Sequence, residues 1–85
     1  MTIEMLYFAW VRERIGVGAE RVTPPASVVT VADLVDWLGA DSAPHADAFA
    51  DRTRLRAALD QTFVPLDTPL GAAREVAIFP PVTGG

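Results

Sequence analysis

Cysteine and lysine are both missing from this 85-residue chain, and histidine occurs once, as His45. Without a thiol there is no disulfide, no thiolate metal site and no cysteine nucleophile. Without lysine no side-chain amine can form a Schiff base or accept an isopeptide bond. A single histidine with no cysteine beside it does not make a metal-ligand set, so His45 is read as a solvated loop residue. Long apolar runs are missing too. Glu4 and Arg12 bracket the greasiest stretch, well short of the roughly 18 residues that cross a bilayer. No cationic start followed by an apolar core and a small-residue cleavage site marks a signal peptide, so a cytoplasmic protein is expected. All seven basic residues are arginine, and the net charge is −4. Nucleic-acid binding draws on clustered positive charge that displaces counterions. Neither nucleic acid nor membrane is therefore expected as a partner.

What the chain does have is a hydrophobic content of 51% in a length suited to one domain. The segment 3–9 reads as a strand, rich in aromatic and branched residues. Arg12-Glu13-Arg14 forms a polar shoulder of about one helical turn, stopped at Gly16 and Gly18. Residues 20–23 make a second strand, ended by Pro24-Pro25. Thr30 reads as a helix N-cap with Asp33 in the first turn. Val31, Leu34, Val35 and Leu38 follow as one apolar stripe, and Gly39 is expected to close the helix. Pro44 opens a short second helix with Ala46, Phe49 and Ala50 on one face. Residues 55–59 and 62–65 make a hairpin around Asp60-Gln61. Leu70 plugs the following turn, and residues 75–79 are the last strand.

One main helix and about five short strands make an α+β domain. The first and last strands are the most apolar, which places them centrally and in parallel. That is the β-grasp, or ubiquitin-like, arrangement: a mixed sheet with the helix on one face. The domain is expected to span 1–79, with a flexible tail over 80–85. The last two residues are Gly84-Gly85. Two residues without Cβ can thread a narrow channel in conformations closed to others, so the terminal carboxylate is expected to be the reactive group. Pro80-Pro81 stiffens the root of the tail.

Strand side chains alternate between faces. With Glu4 and Glu75 facing water, Leu6, Phe8, Ala77 and Phe79 share the open face, and Gln61 and Phe63 turn the same way. Ile3, Met5, Tyr7, Val76 and Ile78 then point at the helix. Leu6, Phe8, Phe63 and Phe79 should form an apolar patch at the root of the tail, which reads as an interface. Other candidate chemistry is thin. Asp41, Asp47 and Asp51 lack the glycine and glutamate of a calcium loop. Ser27 and Ser42 have no base nearby in sequence. No glycine-rich loop follows a strand. No cofactor is expected to bind the chain itself.

The runs Phe8-Ala9-Trp10-Val11-Arg12-Glu13, 58–64, Asp67-Thr68-Pro69-Leu70 and 75–85, ending Phe79-Pro80-Pro81-Val82-Thr83-Gly84-Gly85, resemble the small subunit of molybdopterin synthase. The resemblance implies a sulfur carrier that forms a heterotetramer with the large synthase subunit and supplies no catalytic side chain. An adenylyltransferase of the ubiquitin-activating type would use ATP to adenylate the Gly85 carboxylate. A persulfide sulfur donor would then leave a thiocarboxylate there. The tail would enter the large subunit, which holds the pterin precursor, and give up its sulfur to the dithiolene of the molybdenum cofactor. By the same match Gly84 and Gly85 are the working residues. Phe8, Phe63 and Phe79, with Leu6, meet the large subunit, and Arg12 is a rim ion-pair candidate. Asp60 stands where the family usually has asparagine, and Trp10 where a smaller or polar residue is common. The alternatives are a sulfur carrier for thiamine or cysteine synthesis, and a ubiquitin-like modifier or binding module without sulfur chemistry.

Overall fold

The computed structural model describes residues 1–81; of the tail expected over 80–85, residues 82–85, with Gly84-Gly85, lie outside the described residues. Five strands, β1 (Ile3–Tyr7), β2 (Ala19–Val22), β3 (Arg56–Leu59), β4 (Thr62–Val64) and β5 (Glu75–Phe79), form one sheet in the order β2-β1-β5-β3-β4. β1 and β5 pair in parallel at the centre, and the other pairs are antiparallel. This is the α+β, ubiquitin-like β-grasp arrangement that the sequence predicts.

Alternation decides which residues build the core. Ile3, Met5 and Tyr7 of β1 and Val76 and Ile78 of β5 are buried. They meet Val31, Leu34, Val35 and Leu38 of the main helix, α2 (Val31–Ala40), in one cluster. Thr30 caps that helix in a reciprocal box. Its hydroxyl accepts from the Asp33 N–H at 3.1 Å, and the Asp33 carboxylate accepts from the N–H groups of Thr30 and Val29 at 3.1 and 3.0 Å. These bonds hold the Asp33 carboxyl below the usual carboxylate range. Leu70 is buried as expected, and its N–H bonds the Val29 carbonyl at 2.8 Å.

Three local expectations give way. The polar shoulder is a seven-residue helix, α1 (Ala9–Ile15), because Val11 and Ile15, four apart, supply a buried stripe that extends it; Gly16 ends it in the left-handed region at φ 98°. Gly39 does not close α2 but lies inside it, and the helix runs to Ala40. α3 (Ala43–Ala48) crosses there, with the Ala46 Cα 3.4 Å from where a Cβ on Gly39 would stand. The short second helix exists, capped by Ser42, but its buried residues are Ala48 and Phe49, whereas Ala46 and Ala50 are exposed.

Candidate functional site

The open face of the sheet carries a ladder across four strands. Leu6 pairs with Ala77, Ala77 with Ala58, and Ala58 with Phe63. The two alanines are small and buried, forming a floor, and the large residues stand around it. Leu6, Phe8, Phe63 and Phe79, with Ala9, Gln61, Glu75, Pro80 and Pro81, line one apolar groove. The Phe63 and Phe79 rings lie 5.3 Å apart at a 44° tilt, within the range where aromatic pairs attract. Phe63 is nevertheless 74% exposed and Phe8 50% exposed. Rings this open beside an apolar floor make a contiguous exposed apolar patch, a feature uncommon on a surface that meets only water. The four patch residues expected from alternation are thus brought together, and the chain leaves the groove through Pro80 and Pro81.

Local backbone geometry sets the walls. β1 stops at Tyr7, two residues short of the expected strand end, because Ala9 adopts φ 54°. That left-handed turn costs a non-glycine residue about 1–2 kcal/mol. It swings the chain into α1 while leaving Phe8 over the groove. On the other side Asp60 and Gln61 take φ 47° and 73°, the signature of the tight hairpin turn that follows strand twist. The Asp60 carboxylate accepts from the N–H groups of Arg74 and Glu75, both at 3.0 Å. Its charge is therefore engaged in locking the hairpin turn to the start of β5.

Arg12 is placed differently from the patch. It is exposed on α1, its Nε 3.0 Å from where a Cβ on Gly18 would stand, and it does not line the groove. The cation that does border the aromatic pair is Arg56. It pairs across from Phe79 and shares a hollow with Phe63, Val64, Pro65 and Phe79. Sequence reasoning passed over it, although alternation from Ala58 puts residue 56 on the open face.

His45 is not a solvated loop residue. Its ring stands on the helix side of the sheet, with the side chain only 12% exposed. Nε2 lies 2.6 Å from a Glu20 carboxylate oxygen, and Nδ1 lies 2.6 Å from the Ser42 hydroxyl. A carboxylate only accepts, so Nε2 carries a proton. The Tyr7 hydroxyl donates to the same Glu20 oxygen at 2.7 Å. Burial, then the bond to Glu20, pushes the Tyr7 phenol far above its ordinary range. These four side chains clasp α3 to β1 and β2. The signal was invisible locally because Glu20 lies 25 residues from His45.

Residues 5–85 match the model of the ThiS family. The molybdopterin synthase sulfur carrier subunit of Escherichia coli is 46% identical over 83 residues, covering 98% of this chain and 99% of that protein. The protein of the same name from Haemophilus influenzae is 34% identical over the same coverage. Among solved structures, small archaeal modifier protein 1 of Haloferax volcanii superposes with a TM-score of 0.71 at 26% identity, covering 95% of this chain and 98% of that one.

Proposed function

Because the chain belongs to the ThiS family, with molybdopterin synthase sulfur carrier subunits as near relatives, we propose that it carries sulfur on its Gly85 carboxylate and delivers it inside a large synthase subunit. The observation that carries this reading is the groove. An exposed apolar face walled by Phe8, Phe63 and Phe79 extends to Pro80 and Pro81, which follow β5 and precede Gly84-Gly85 in sequence. The domain is the handle and the last residues are the reagent.

A carboxylate is a poor electrophile. The Gly85 oxygen attacks the α-phosphorus of ATP, held by an adenylyltransferase of the ubiquitin-activating type, and pyrophosphate leaves. The terminal sulfur of a persulfide donor attacks the acyl carbon and expels AMP. A second thiol cleaves the resulting acyl disulfide, leaving a thiocarboxylate on Gly85 and an oxidised donor. The lack of cysteine fits a carrier whose sulfur rides on the backbone terminus. Seated in the large subunit, the thiocarboxylate sulfur bonds to a carbon of the pterin precursor and displaces an oxygen leaving group; water then hydrolyses the resulting thioester, leaving the sulfur on the precursor and Gly85 as a carboxylate.

The test is the intact mass of protein made beside its own activating enzyme, with fragmentation to place the change. An oxygen-to-sulfur exchange at Gly85 is expected. An unmodified carboxylate in every such preparation overturns the reading. Deleting Gly85 should abolish transfer and leave folding unchanged. Gly84→Val should bind the large subunit yet transfer poorly, since a β-branched side chain narrows the backbone choices and fills a tight channel. A second reading, attachment of Gly85 to amines of other proteins, draws on the likeness to small archaeal modifier protein 1. It shares the adenylation step and differs in its product, which would be covalent conjugates of higher mass.

A further inference from the structure

Among the described residues, Ala9, Gly16, Asp60, Gln61 and Gly71 take a positive φ, between 47° and 98°. An L side chain is strained in that region and glycine is not. Gly16 and Gly71 answer the strain directly. A Cβ at either would meet nothing within 4 Å, so glycine relieves backbone strain there and not crowding. Neither lines the groove. Asp60 keeps a side chain for a reason inside the fold, because its carboxylate accepts from the N–H groups of Arg74 and Glu75.

Ala9 and Gln61 have no such reason. Ala9, at φ 54°, stands close to the φ 56° of Gly71, yet it carries a methyl group. Ala9 and Gln61 are both exposed, and the Gln61 amide forms no hydrogen bond among the described residues. What they share is the groove, which both line. They stand at its diagonal corners. Ala9 follows β1 beyond the Tyr7–Ile78 pair, and Gln61 turns between β3 and β4 beyond the Leu59–Val76 pair. The backbone at each corner is held by its neighbours: Tyr7 and Val11 are buried on either side of Ala9, and Asp60 ties the turn at Gln61 to β5. Strained residues persist where their surroundings over-determine them, and they cluster at clamps and binding sites.

We infer that Ala9 and Gln61 are contact residues of the docking face, so that the large subunit covers the groove from corner to corner and not at the Phe79 end alone. This rests on the carrier reading above. In the free domain either side chain costs stability that glycine would restore. Its contribution comes only when the groove is covered.

Titration calorimetry with the purified large subunit, beside thermal melts of the free chain, tests this. Ala9→Gly should bind about fourfold more weakly, the effect of losing one buried methyl group. Gln61→Gly should weaken binding by about the same factor or more. β1 and β3 lie two strand spacings, about 10 Å, apart, so the losses should add and the double variant should bind at least about tenfold more weakly. Each glycine variant should melt at or above the parent, because relieved strain outweighs the freer unfolded chain. Gly71→Ala gauges that strain away from the groove: it should melt several degrees lower and bind like the parent. If the parent does not bind the large subunit, the carrier reading fails and this inference with it. If the parent binds and the glycine variants bind as tightly, the two residues are not contacts and only this inference falls. A loss at one position alone would overturn the corner-to-corner footprint. Glycine variants that melt well below the parent would assign the two side chains to the fold, which also overturns it.

Discussion

Ile78 and Phe79 are consecutive residues of β5, and truncating each should damage a different property. Ile78 is 0% exposed and lies between Tyr7 and Ala57 in the sheet register. Ile78→Ala removes buried methyl groups and leaves a cavity, a loss of about 2–5 kcal/mol. For a domain of this size each kcal/mol moves the melting point by about 4–8 °C, so a fall of at least roughly 10 °C is expected. Phe79 faces the groove and stacks on Phe63. Its contact with that ring contributes about 0.5–1.5 kcal/mol, and no core cavity opens when it is cut back. Phe79→Ala should therefore melt only several degrees below the parent. Binding should invert the order. An aromatic anchor at an interface commonly costs about 2 kcal/mol or more when truncated, which is a roughly thirtyfold weaker complex with the large subunit. Ile78→Ala, measured well below its melting point, should bind within a few-fold of the parent. Thermal melts beside titration calorimetry decide the matter. If Phe79→Ala unfolds while Ile78→Ala melts like the parent, the two faces of β5 are assigned the wrong way round. If Phe79→Ala binds as tightly as the parent, the groove is not the docking surface.

Asp60→Ala removes the acceptor for two backbone N–H groups and should cost about 1–2 kcal/mol by denaturant titration, while Asp60→Asn, which keeps an acceptor oxygen, should cost less. Gly39→Ala places a methyl group 3.4 Å from the Ala46 Cα, contact without overlap, so the helix-propensity gain of about 1 kcal/mol should appear as a higher melting point. Gly39→Leu should lower it by prising α3 off α2. The Asp33 carboxyl, held below its ordinary value of 3.8 by the N–H groups of Thr30 and Val29, supplies stability that is present above that value. This stability is lost as pH falls through the lowered folded value. The melting-point gap between the parent and Asp33→Asn should accordingly narrow between pH 6 and pH 3; a gap that stays constant would refute the linkage.

Much of this could be read from the chain because the decisive patterns were local. Glu4 and Glu75 fixed the phase of alternation in both central strands and Val64 that of β4, so the groove residues Leu6, Phe8, Phe79 and Phe63 followed without any tertiary information. The Thr30 cap and the Asp60-Gln61 turn were legible for the same reason. What escaped depended on partners distant in sequence. His45 looked solvated because neither Glu20 nor Tyr7 is near it along the chain, and only the packing of α3 on the sheet brings them together. Gly39 looked like a helix end because the backbone of α3 at Ala46, which leaves room at this position for a small side chain inside the helix, belongs to another helix. Phe8 reached the open face as expected, but by the left-handed Ala9 and not by a longer strand.

The parallel pairing of β1 with β5 also has a consequence for how the chain reaches its native state. The two innermost strands come from opposite ends of the sequence, with Glu4 beside Glu75 and Tyr7 beside Ile78. Nearly the whole chain must be looped before the centre of the sheet can close, and such non-local closure slows folding. Until β5 arrives, β1 and β3 are both unpaired edges flanking a gap, each offering a row of free backbone donors and acceptors. In the finished fold the outer edges are short: β2 has four residues and β4 has three. A fragment cut before Glu75 keeps none of that protection at its centre. It is the species from which strand-to-strand aggregation would start.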